Sequence, residues 1–147
     1  MFTKTVGQAR LFTSMDHLEA FLQSFVEKRH QYSRLLRLSK VKQNGNLLRG
    51  MDALSRQLDK RFCVPVPNGS PQHEIDFVRQ AISKYKLTSC YVLSADERFH
   101  QQTLPPDEAL QRVVGTSSTS ILSFIPGRVA LFEGHSIGER YLCIRER

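Results

Sequence analysis

The stretch Ser120-Ile121-Leu122-Ser123-Phe124-Ile125-Pro126-Gly127-Arg128-Val129-Ala130-Leu131-Phe132 decides the fold. Two apolar runs, rich in β-branched and aromatic residues, flank a Pro-Gly pair. Proline presets φ at the first central position of a type II turn, and glycine takes the positive φ that the second requires. The reading is a hairpin with strands over residues 120–125 and 128–132. A loop from Gly134 to Gly138 then leads to a third short apolar run at 141–144, so the tail reads as a three-stranded antiparallel meander. Residues 88–94 are polar at their edges and apolar at their centre, and are expected to join as a fourth strand.

Working outward, the segments before this tail read mostly as helices. Thr13 with Asp16 three residues on is an approximate capping box, and Leu18, Phe21, Leu22, Phe25, Val26, Tyr32, Leu35 and Leu36 keep largely helical spacing after it. One helix is expected from there to the Gln43-Asn44-Gly45 turn signal, and a second from Asn46, with Leu47, Met51, Leu54, Leu58 and Phe62 on one face. The two would form an antiparallel helical hairpin. Cys63-Val64-Pro65-Val66-Pro67 alternates, but its prolines confine it to an edge strand or an extended link. Ser70-Pro71 reads as N-cap and first residue of a helix carrying Ile75, Val78 and Ile82. Pro105-Pro106-Asp107-Glu108 opens a shorter helix with Gly115 at its C-terminal end, its acids placed where the helix dipole favours them. The fold class is therefore α+β: an amino-terminal helical hairpin, then a mixed α/β part ending in an antiparallel β-meander. At 147 residues the chain is the size of one domain, 1–147. The Asn68-Gly69 turn is the one point where it would subdivide, into a basic helical part (1–67) and an α/β part (68–147).

Composition narrows the class. Hydrophobic residues make up 40% and charged residues 24%, ordinary for a globular protein. No apolar run approaches the length needed to span a bilayer, and the start lacks the pattern of a secretory leader, so a cytoplasmic location with no membrane partner is expected. Cys63, Cys90 and Cys143 are widely spaced, with no CxxC pair, and read as small buried hydrophobes in a reducing compartment. His17, His30, His73, His100 and His135 show no HExxH or HxH spacing, so no metal and no cofactor are expected. There is no GxSxG, GxGxxG or Walker A motif. Gly115-Thr116-Ser117-Ser118-Thr119-Ser120 resembles a phosphate cradle only superficially, lacking the lysine and the second glycine.

Charge is the feature that points to partners. The formal net charge is +7, and residues 1–62 carry 12 Lys and Arg against 5 Asp and Glu, whereas the remainder is balanced. Arg34, Arg37, Lys40 and Lys42, with Tyr32 beside them, form the densest basic stretch. The expected function is a non-catalytic binding or regulatory module whose basic amino-terminal helices engage nucleic acid or an acidic protein surface. A second reading takes Glu133 or Glu139, His135, Arg128 and His100 as the parts of a small metal-independent ribonuclease. There the Glu takes the 2′-hydroxyl proton, a His protonates the leaving oxygen and the Arg steadies the phosphate. A polar hairpin loop accounts for the same residues without catalysis. A third reading is an assembly element whose helical hairpin pairs with itself, as a homo-oligomer, or with another subunit, through Leu35, Leu36, Leu38 and Val41.

Overall fold

The computed structural model describes residues 12–38, 48, 51–136 and 139–146. Its elements run in the order α1 (Ser14–Phe25), α2 (Lys28–Leu38), a 3-10 segment (Asp52–Gln57), β1 (Cys63–Pro65), α3 (Pro71–Ile82), β2 (Cys90–Ser94), β3 (Gln102–Leu104), α4 (Pro106–Val113), β4 (Ser120–Ile125), β5 (Val129–Glu133) and β6 (Arg140–Ile144). The six strands form one antiparallel sheet in the order β1-β6-β5-β4-β2-β3. The α+β class with helices first and an antiparallel sheet last is thus the observed one.

Both faces of the sheet are covered, which explains why its central strands are apolar almost without alternation. On one face α1 and the 3-10 segment pack Leu18, Phe21, Leu22, Phe25, Leu54 and Leu58 onto Leu93, Ile121, Ala130, Phe132 and Cys143. On the other, α3 and α4 pack Ile75, Val78, Ile82, Leu110 and Val113 onto Val92, Leu122, Leu131 and Leu142. Neighbours along a strand face opposite ways, so Ile121 enters the first core and its successor Leu122 the second. The first core draws on residues from both sides of Asn68-Gly69.

Several local expectations hold in atomic detail. Thr13 and Asp16 exchange both bonds of a capping box, the Ser70 hydroxyl accepts from the His73 N–H, and Pro71 opens α3. The Arg128 N–H donates to the Ile125 carbonyl at 2.9 Å and Gly127 has φ +72°, as a type II turn requires. All three cysteines are buried free thiols.

Two readings are corrected, and one strand was not expected. The helix expected to run on past Phe25 stops there. Val26 turns extended and bridges Leu58, the Asp59 N–H bonds the Phe25 carbonyl, and α2 starts afresh at Lys28. β-branched Val26 loses little by leaving the helix, and the cross-chain bonds replace those it gives up. The second helix of the expected hairpin is a 3-10 turn over Asp52–Gln57, so the helical pair is α1 with α2. The Gln43-Asn44-Gly45 turn and the helix start at Asn46 lie outside the described residues. Finally, Gln102–Leu104 is a short edge strand that its polar composition concealed.

Candidate nucleic-acid interface

The break at Val26 folds the basic segments together. The Glu27 N–H donates to the Gln57 carbonyl, which sets the start of α2 beside the 3-10 segment. Gln31 reaches back from α2 and donates to the Gln23 and Val26 carbonyls, capping the end of α1. Beyond Gln57 the chain turns through Asp59-Lys60-Arg61 to Phe62, whose carbonyl accepts from Ile144 at the end of β6. Arg145 follows, and its N–H bonds the Arg128 carbonyl. These bonds set the start of α2, with Lys28 and Arg29, beside the 3-10 segment that carries Arg56, and the Lys60-Arg61 turn beside the strand ends that carry Arg128 and Arg145, with Glu27, Asp59 and Glu146 among them.

α2, Lys-Arg-His-Gln-Tyr-Ser-Arg-Leu-Leu-Arg-Leu, contains no acid. Lys28, Arg29, Tyr32, Ser33 and Arg37 are exposed, with Arg29 and Tyr32 about three-quarters so. Cations in the first turn oppose the positive end of the helix dipole, so Lys28 and Arg29 cost this helix stability. Glu27, in contact with Arg29 at 3.2 Å and His30 at 3.6 Å, offsets part of that cost. Arg34, which the sequence places in the basic stripe, is instead buried and donates from Nε to the Gln57 side chain at 2.8 Å. Burial, with Arg37 nearby, lowers its pKa, and it holds α2 onto the 3-10 segment. Arg37 and Tyr32 are at the surface as expected, whereas Lys40 and Lys42 lie outside the described residues.

The residues of the ribonuclease reading are not brought together. Arg128 is at the β4–β5 turn and Glu133 at the far end of β5, about 17 Å along the strand. Glu139 lies toward the α1 face, accepting from the Ser55 hydroxyl at 2.5 Å, whereas Glu133 faces α3 and α4. His135 is exposed. His100 accepts the Ser94 N–H on Nδ1 at 3.0 Å, and Ser94 lies two strand spacings, about 10 Å, from Glu133 across the Ser94–Ser120–Glu133 row. An imidazole nitrogen that accepts a hydrogen bond carries no proton, and burial lowers the His100 pKa to match.

Glu133 belongs instead to a buried ionic cluster. Its carboxylate accepts from the Gly115 and Ser117 N–H groups at 3.0 and 3.2 Å and from Arg140 Nε at 3.0 Å. Gly115 at φ +94° and Ser117 at φ +59° turn their amides inward. The Gly115–Ser120 loop is thus an anion nest that the chain's own carboxylate fills. Arg140 also ion-pairs Glu74, which accepts from the Gly69 N–H at 2.9 Å. Burial pushes the Glu133 carboxyl up to about 7, against the pull of the backbone donors. Glu74 and Arg140 line a cleft of about 510 Å³, with Glu133 beneath its floor. The cluster ties α3, the α4–β4 loop, β5 and β6 together.

Sequence reasoning missed Glu74, Arg140, Arg145 and Phe62. Two of these follow from the hairpin register: once β5 and β6 are paired, Glu133 faces Arg140 and Arg128 faces Arg145. Among the described residues no group of three His, Cys, Asp or Glu side chains is arranged to hold a metal ion, and no helix is long and apolar enough to cross a membrane. No family model, curated protein or solved structure matches the chain.

Proposed function

We propose that this protein is a non-catalytic nucleic-acid-binding module that takes a single strand along its basic end. The observation that carries the reading is the exposed face of α2, where Lys28 and Arg29 lie one turn before a Tyr32 that is 75% exposed and Arg37 is exposed one turn beyond it. Arginine fits phosphate oxygens with a planar, two-pronged donor set, and an exposed aromatic ring offers a face on which a base stacks. The first-turn cations of α2 weaken the helix that holds them, as functional residues do when they break a local rule. Arg56, Lys60 and Arg61 extend the same charge beyond the helix, and Asp59 is engaged by Arg61 at 2.7 Å.

The test is fluorescence anisotropy of a labelled single-stranded oligoribonucleotide across a salt series, with polyglutamate as an acidic-protein mimic. With about five phosphates contacted, log K should fall against log salt with a slope of about −3.5. Arg29→Glu with Arg37→Glu should flatten that slope by about 1.4. Tyr32→Ala should weaken binding about tenfold without changing the slope. Binding of polyglutamate but not of the oligonucleotide would replace this reading with an acidic protein partner.

A further inference from the structure

We infer that the pocket between the end of α1 and the β4–β5 turn is a phosphate site, with Arg128 and Arg145 as its two cationic arms. It has a volume of about 460 Å³, and its lining, from Ala20, Gln23, Ser24, Pro126, Gly127, Arg128 and Arg145, contains two guanidiniums and no carboxylate. The inference rests on the nucleic-acid reading for its choice of phosphate over other anions.

Arg128 and Arg145 extend the β5–β6 ladder by one step beyond Val129 and Ile144. Directly opposed residues on antiparallel strands point to the same face with neighbouring Cβ atoms, and two like charges placed so are destabilising. An anion between them converts that repulsion into two attractions. Arg145 is already held in place: Nη1 donates to the Ser24 carbonyl at 3.1 Å, and its guanidinium lies 4.4 Å from the centre of the half-buried Phe62 ring. The exposed Arg128 guanidinium makes no hydrogen bond or ion pair among the described residues. One arm is therefore fixed and the other is available.

The surrounding acids do not neutralise the pair. The charge of Arg145 is felt by Asp59 and that of Arg128 by Glu146. Yet Asp59 receives two side-chain bonds from Arg61, and Glu146 accepts from the Tyr85 hydroxyl at 2.5 Å and pairs with Lys84 at 3.2 Å. Gly127 closes the pocket wall. A Cβ there would stand 2.9 Å from the Ser24 hydroxyl, which would have to turn aside, and the φ of +72° itself favours glycine at this wall.

A phosphate on its own, a nucleoside monophosphate and a phosphodiester in a strand share the chemistry these arms recognise. The test measures thermal unfolding of the full chain and of Arg128→Gln in inorganic phosphate, in a nucleoside monophosphate and in sodium chloride of equal ionic strength. Oligonucleotide affinity is measured alongside. Phosphate at ten times its Kd should raise the wild-type Tm by about 4 °C over chloride. Arg128→Gln should lose that shift while melting no lower than wild type in chloride, because the repulsion goes with the charge. A tenfold loss of oligonucleotide affinity in Arg128→Gln would assign the site to a strand phosphate; unchanged affinity would assign it to the free anion. Equal melting in phosphate and chloride, or a shift that survives Arg128→Gln, overturns the site. If the phosphate shift is present but Arg29→Glu with Arg37→Glu leaves oligonucleotide binding intact, the basic helix reading fails and the pocket stands.

Discussion

Arg140→Met removes the single cation from a cluster that holds two carboxylates away from water. Glu133 is 2% exposed and Glu74 4%, so neither recovers hydration when the guanidinium leaves. Breaking a buried pair in this way costs about 3–5 kcal/mol, most of it from the charge left behind. For a chain of this size that lowers Tm by about 12 °C. The loss should also depend on pH. The Glu133 pKa in the folded protein, about 7, lies above its ordinary value of 4.5. Its contribution to stability is therefore whole below pH 4.5 and is lost as pH climbs through 7. Without Arg140 the Glu133 carboxyl resists ionisation further, so the variant should fall short of wild type by more at pH 8 than at pH 5.5. Urea unfolding followed by circular dichroism at the two pH values reads both effects. A loss under 1 kcal/mol at pH 8, or an equal loss at both, would show that water reaches the cluster and that the account of its energetics is wrong.

Other outcomes follow from the same geometry. Because His100 must lose its bond from the Ser94 N–H to take a proton, its NMR titration midpoint should lie below 6.5. Folding stability linked to it is present above 6.5 and falls as pH drops below that value; a midpoint at or above 6.5 contradicts the buried acceptor role. Gly127→Ala, at φ +72° and against the Ser24 hydroxyl, should cost about 1–3 kcal/mol by chemical denaturation, and a neutral result would mean the turn is not type II. A thiol reagent should modify none of Cys63, Cys90 and Cys143 in the native protein and all three in denaturant, since burial pushes the Cys90 and Cys143 thiols up. Rapid native labelling of any of them would place it at the surface.

The carboxy-terminal half was legible because its signals are local. Pro126-Gly127 names a turn type, Ser70-Pro71 names a helix start, and the apolar runs between them leave little choice. The amino-terminal half was not, because helical spacing in residues 18–36 persists straight through the break at Val26. What ends α1 is a set of bonds to residues 57–59, and no pattern within α1 encodes them. The candidate site divides the same way. Arg37 is exposed as its place in the basic stripe suggests, and Tyr32 is exposed although its spacing also fits the apolar series, whereas Arg34 is drawn inward by Gln57, a partner 23 residues on. The ribonuclease candidates were joined by nearness in sequence, but β5 separates Arg128 from Glu133 by its whole length.

The place of β6 in the sheet has a consequence for how this chain comes to be folded. β6 lies between β5 and β1, so the strand at Cys63–Pro65 has nothing to pair with until Arg140–Ile144 exists. On a ribosome the chain emerges from its amino-terminal end, and α1 must wait with Phe21 and Phe25 only partly covered while about a hundred further residues are made. Cys143, Tyr141 and the Phe62–Ile144 bond arrive last and close that face together. A nascent chain stalled before residue 140 would hold its meander open on one side, and the late strand acts as the fastener that commits both halves at once.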